Sequence, residues 1–189
     1  FDAERDGFVM GEGAGVMVLE EWDMAVERGA TILAEILGGA STADAHHITA
    51  PSPGGIGAIT CMRIALEEAG VEPDQVRHIN AHGTSTPLND MAEAFAMAEV
   101  FGPDGPLVTS TKGITGHALG AAGAIEAVAV VLAMNSKLIP PTAGYTTSDP
   151  EMPPINLVTG SPAPWEPGIS MSNSFGFGGH NGSLVIAPA

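Results

Sequence analysis

Twice in mid-chain a strand-like run breaks into a loop of small and hydroxyl residues and then into a helical pattern. This constrains the fold more than any other feature of the 189 residues. The first stretch is QVRHINAHGTSTPLND, Gln75 to Asp90, and the second is LVTSTKGITGHALGAAGA, Leu107 to Ala124. Strands that alternate with helices must bury an apolar sheet face under an apolar helix face, which is an α/β layer structure. The rest of the chain keeps the alternation. GVMVLE (Gly15 to Glu20) reads as a strand, EWDMAVERG as a short helix closed by Gly29, and TILAEILGG as a further strand. Ser41 to Gly57 is dense in Ser, Thr, Pro and Gly and reads as a loop. Ala58 to Ala69 is an amphipathic helix stopped by Gly70, and Asp90 to Phe101 is another, with Asp90 and Glu93 at capping-box spacing. INLVTG, GISMSNS and SLVIAP supply more strands, with YTTSDPEMPP as a loop.

Composition narrows the function. Hydrophobic residues make up 44% and charged residues 15%, so the chain is globular. The formal net charge is −16 with only six Lys or Arg, which argues against a nucleic-acid partner, since phosphate neutralisation needs basic clusters. The longest apolar run, Ala118 to Met134, is interrupted by Glu126, so no membrane span is expected. The single Cys61 excludes an internal disulfide and a multi-cysteine zinc site. HINAH has its histidines four apart on a strand, where the rings do not converge, and no HExxH occurs, so no metal site is expected.

Each mid-chain loop delivers one histidine. His82 sits where a strand gives way to GTST, the kind of strand end at which α/β folds gather their sites. Thr84, Ser85 and Thr86 offer hydroxyls suited to a polar, uncharged ligand. A buried histidine capping its own turn is the plainer alternative for His82. His117 repeats the placement at an expected helix start, where imidazolium is disfavoured and a neutral ring can donate to a developing oxyanion. Lys112, five residues earlier, needs a counter-charge if buried, and Glu126 is the nearest acid in sequence. Gly116, Gly120 and Gly123 read as helix-packing residues. Two donors on one oxygen suit carbon–carbon bond chemistry beside a thioester, or acyl transfer. Acyl transfer needs a nucleophile, and Cys61, inside a helix, reads as structural. NSFGFGGHNGS sets Phe175 and Phe177 on a glycine-rich backbone, a candidate gate.

NAHGTSTPLNDMAEA, STKGITGHALGAAGAIE, NSFGFGGHNGSL, FDAERDGFVMGEGAGVMVLEE and DAHHITAP together resemble the β-ketoacyl-acyl carrier protein synthases, in the form of the synthase II type. GGHN in place of the commoner GGTN is a departure at His180. The resemblance implies a thiolase-like layered fold, of which this chain would be the C-terminal half, a mixed β-sheet flanked by helices. Residues 1–40 would be the last strands of the N-terminal half and 41–189 the second half. It implies catalytic roles for His82 and His117, with Lys112 and Glu126 organising the site. Thr84 and Thr86 would bind phosphopantetheine, Phe175 would gate the acyl pocket, and Asp44, His47 and Thr49 would border its entrance. The nucleophilic cysteine would lie in an earlier segment, leaving this chain inactive alone. Expected partners are the acyl carrier protein, the N-terminal half and a second copy in a homodimer. No cofactor is expected beyond the carrier's phosphopantetheine, and the expected compartment is the cytoplasm. The rivals are a silent chain-length-factor-like subunit and a pantetheine-binding module. A thiolase would need a second cysteine near GFGGHN.

Overall fold

The computed structural model describes all 189 residues, Phe1–Ala189. In chain order the elements are α1 (Trp22–Glu27), β1 (Ala34–Ala43), α2 (Ile56–Ala69), β2 (Val76–Asn80), α3 (Pro87–Phe101), β3 (Leu107–Thr109), α4 (Lys112–Thr115), α5 (Ala122–Ser136), β4 (Leu138–Ile139), β5 (Asn156–Leu157), β6 (Ala163–Pro164), β7 (Ile169–Gly176) and β8 (His180–Pro188). Six strands form one mixed sheet in the order β1-β8-β7-β2-β3-β5, and β4 pairs with β6 apart from it. The β1–β8 and β8–β7 pairs are antiparallel, whereas β7–β2, β2–β3 and β3–β5 are parallel.

The sheet has two unlike faces, as a period of two along each strand requires. Ile79, Val108, Met171 and Val185 point to one face and pack with Met62, Leu66, Met97 and Val100 of α2 and α3 in the larger core. Ile186 points to the other face and packs with Ala127, Val130 and Met134 of α5, with Met17, Trp165 and Leu184 at the margin. Between these layers the parallel strands β2 and β3 end side by side, Asn80 opposite Thr109, and both histidine loops leave from that edge.

β1, which pairs with β8 from Ala34 to Ala43, runs across residues 40 and 41. Several expectations change. GVMVLE forms no strand. Met17 turns in towards α5, while Val16 and Val18 are 86% and 89% exposed. The alternation is that of a strand, but the run finds no ladder partner within these residues. The third helix begins three residues before Asp90, with Thr86 as its N-cap, accepting from Asn89 N–H at 3.4 Å, and Pro87 in its first turn. Asp90 and Glu93 therefore lie inside α3, fully buried, and form no capping box. Of the three glycines, only Gly123 is in α5, facing Ser174; Gly116 follows α4 and Gly120 faces open space. The stretch Leu119–Ser136 is, by length and composition, apolar enough to cross a bilayer, contrary to the sequence reading. Its apolar side chains Ala127, Val130 and Met134 are buried against the sheet, and Asn80 Nδ2 donates to the Glu126 carbonyl at 3.2 Å.

Candidate active site

β2 delivers His82 two residues past its last residue. The turn that follows needs a left-handed backbone at Gly83 (φ +41°), and a Cβ there would press on Ser110. Ser110 Oγ donates to the Gly83 carbonyl at 2.9 Å, tying the two loops together. From below, Glu93 grips the turn. Its two oxygens accept from His82 N–H and Gly83 N–H, each at 2.8 Å. Asp90 accepts from Ser85 N–H at 3.1 Å.

Lys112 opens α4 and is buried. Its Nζ is ion-paired to Glu126 Oε1 and lies 3.3 Å from His82 Nδ1. An ammonium has donors only, so Nδ1 accepts and the proton of the neutral ring sits on Nε2. His117 reaches the same tautomer differently. It precedes a 3₁₀ turn (Leu119–Ala121) rather than capping an α-helix, and Leu119 N–H donates to its Nδ1 at 3.2 Å. The two rings lie edge to face with centroids 5.3 Å apart, and Phe175 lies 5.8 Å from His82. Burial pushes the titration of His82 well below the usual imidazole range, and the Lys112 charge and then His117 push it further. Burial, then Lys112, also lower His117. Burial raises the Glu126 carboxyl despite the Lys112 charge beside it. The pair is therefore two neutral rings, each with Nδ1 occupied and Nε2–H left to donate.

The structure thus brings His82, His117, Lys112, Glu126 and Phe175 together. Thr84 and Thr86 lie on the same loop, their hydroxyl oxygens 2.9 Å apart, with Thr86 also spent on capping α3. Thr49 is not drawn in. It is exposed, and its N–H donates to His47 Nδ1 at 3.1 Å. Its neighbour Ile48 does touch the glycine-rich turn between β7 and β8, accepting from Gly178 N–H at 2.7 Å. Asp44 reinforces that seam, accepting from Asn181 Nδ2 at 2.7 Å and Ser52 N–H at 2.8 Å. Phe177 is 62% exposed, so only the first of the two aromatics faces the histidines. Cys61 is fully buried, with its thiol donating to the Ala40 carbonyl at 3.5 Å, and burial pushes the thiol up. No three His, Cys, Asp or Glu side chains converge as a metal-ligand set.

Sequence reasoning missed two contributors. Glu93 was readable: Thr86-Pro87 is a cap followed by a first-turn proline, which would have put Glu93 on an inward helix turn. Phe8, whose ring lies 4.9 Å from His117, gave no local signal.

Residues 33–146 match the family described as beta-ketoacyl synthase, C-terminal domain. The 3-oxoacyl-[acyl-carrier-protein] synthase 2 of Synechocystis sp. is 48% identical over 188 residues, 98% of this chain and 45% of that protein. The crystal structure of a beta-ketoacyl synthase from Burkholderia phymatum STM815 superposes with a TM-score of 0.96 at 41% identity, covering 100% of this chain and 46% of that one. The ishigamide ketosynthase/chain length factor superposes with a TM-score of 0.95 at 39% identity, covering 100% and 46%. The chain spans about half the length of the relatives it matches. A family match over more than half of the chain, on a fold that superposes throughout, means that this chain belongs to the beta-ketoacyl synthase family and carries its C-terminal domain.

Proposed function

We propose that the chain is the C-terminal half of a 3-oxoacyl-acyl-carrier-protein synthase of fatty acid synthesis, an acyltransferase that elongates acyl chains by two carbons. The observation that carries this reading is the shared tautomer: Lys112 and the Leu119 N–H occupy both Nδ1 atoms, leaving two Nε2–H donors on adjoining rings. In the proposed reaction the bond between C2 and the free carboxylate of a malonyl thioester breaks, CO₂ leaves, and the electron pair moves onto the thioester carbonyl as an enolate oxyanion. His117 donates to that oxygen and His82 assists, lowering the cost of the developing charge without a proton changing hands. The enolate carbon then attacks the carbonyl of an acyl group held on a cysteine. The carbon–sulfur bond breaks and the thiolate departs.

That cysteine comes from outside these residues, because Cys61 is buried with its thiol committed to Ala40. Lys112 and Glu126 hold His82 in register. Thr84 and Thr86 face the phosphopantetheine arm of the acyl carrier protein, which brings the substrates and makes a separate cofactor unnecessary. Phe175 gates the acyl pocket. The intact enzyme works as a homodimer in the cytoplasm. A silent chain-length-factor-like subunit would have no use for the buried Lys112–Glu126 pair beneath His82, and this favours the catalytic reading.

The test is to mix the chain with acyl- and malonyl-carrier protein and follow β-ketoacyl product by mass. The expected result is no product from the chain alone and product once an N-terminal half carrying the cysteine is supplied. Product from the chain alone would overturn the reading. Pantetheine affinity with no product under either condition would make it a binding module.

A further inference from the structure

The histidine pair belongs to a longer row of rings. Phe8, His117, His82 and Phe175 follow one another at centroid distances of 4.9, 5.3 and 5.8 Å, with interplanar angles of 69°, 81° and 62°. Each ring is edge-on to the next, the arrangement that aromatic quadrupoles favour. Three members already have a place in the proposed reaction, and Phe8 has none.

The segment that carries Phe8 also holds the backbone of His117. His117 N–H donates to the Val9 carbonyl at 2.8 Å, and Gly11 N–H donates to the His117 carbonyl at 3.1 Å, an isolated parallel bridge between Met10 and His117. Gly11 lies so close to the Thr115 carbonyl that a Cβ there would overlap it. The need for Phe8 follows from how few other contacts fix the His117 ring. His82 is nearly fully buried, with Lys112 on its ring and Glu93 on its backbone. His117 is only half-buried, and its ring has one polar anchor, Leu119 N–H on Nδ1. One hydrogen bond fixes a point and leaves the ring free to swing about it. Ring packing must fix the plane, and Phe8 and His82, each edge-on to His117, supply it, Phe8 at the shorter centroid distance.

We infer that Phe8 is a positioning residue for His117: its ring fixes the plane in which Nε2–H donates, and residues 8–11 carry backbone and ring as one unit. The inference rests on the reading of His117 as an oxyanion donor. The charged or titratable groups facing His117 are Lys112 from α4 and His82 from the β2–α3 loop, with Glu126 of α5 acting through Lys112. Glu12, farther along the Phe8 segment, is exposed. Removing the Phe8 ring admits water to an imidazole otherwise held neutral by burial and by the Lys112 charge.

The experiment labels the histidine rings of this chain with ¹⁵N and follows them by NMR through the range in which imidazole titrates. In Phe8→Leu, His117 is expected to bind protons more tightly, roughly two- to tenfold, as part of the desolvation that lowers its titration is lifted. Its Nε2–H tautomer preference should weaken while His82 stays as it was. Phe8→Tyr, which keeps the ring, should leave both histidines unchanged. An unmoved His117 in Phe8→Leu overturns the inference, and so does a matching shift of His82, which would mean a loosened fold. The wild-type chain provides an arm that needs no variant to fold: ring-to-ring NOEs between Phe8 and His117 are expected, and their absence overturns the inference. None of these readouts depends on condensation, so a failure of the proposed reaction would be seen separately, in the product assay.

Discussion

Replacing Glu93 by Gln should change how the stability of the chain depends on pH, by an amount that follows from the burial of one carboxyl. Glu93 is 1% exposed and accepts the N–H groups of His82 and Gly83. Burial raises its titration from 4.5 to about 7, against the pull of those two N–H donors and of Lys112, and with a further push from Asp90. The folded state therefore keeps a proton that the unfolded chain has released. Stability from this group is fully present below about pH 4.5 and is lost as pH rises through 7, so wild type declines across that window. Each tenfold change in proton affinity is worth about 1.4 kcal/mol, which makes the loss about 3 kcal/mol. Gln has no such titration. It also offers one oxygen to two N–H groups, adding a pH-independent cost of about 1–3 kcal/mol. Urea unfolding of both proteins across this pH range isolates the term as a difference curve. The variant should gain about 3 kcal/mol on wild type from the acid to the neutral end. Parallel curves would refute the argument and mean that Glu93 is ionised throughout.

Other substitutions test separate parts of the account. His78 is buried beside Trp165 with neither ring nitrogen meeting a protein partner, and burial lowers its titration from 6.5 to about 4. Stability from it is present above 6.5 and lost as pH falls towards 4, by about 3 kcal/mol, so His78→Leu should flatten that acid limb and raise the neutral-pH urea midpoint. Lys112→Met and Glu126→Leu should each cost about 3–5 kcal/mol by stranding a buried charge, and the double variant should cost less than either, as a double-mutant cycle in urea would measure. Cys61 should resist iodoacetamide in the native chain and react only on unfolding, as followed by mass; rapid native labelling would contradict its structural role.

The parts of the site that were readable in sequence are those built from short-range chemistry. His82, Lys112, His117 and Glu126 lie on two strand–loop–helix stretches, and the loops carry their side chains to one strand edge, so local pattern and final geometry agree. Where the pattern needed a distant partner, it misled. Val16 and Val18 alternate as a strand residue should, yet a ladder needs a neighbour and these residues supply none. Asp90 and Glu93 have the spacing of a helix start, but Thr86 and Pro87 had already begun α3, and burial turned both acids onto the preceding loop. Thr49 shares a motif with the site but not a position in it. Phe8 reaches His117 across more than a hundred residues of chain, and no periodicity encodes such a contact.

The central claim is that His82 and His117 act as neutral Nε2–H donors on one malonyl-derived oxyanion. Its most direct test is CO₂ release from malonyl-carrier protein by the intact enzyme carrying His117→Ala, measured beside acylation of its nucleophilic cysteine. The account predicts that decarboxylation falls by roughly a hundred- to a thousand-fold, the loss expected for one oxyanion donor, while acylation is largely retained. An equal loss of both half-reactions, or decarboxylation at the wild-type rate, would contradict it.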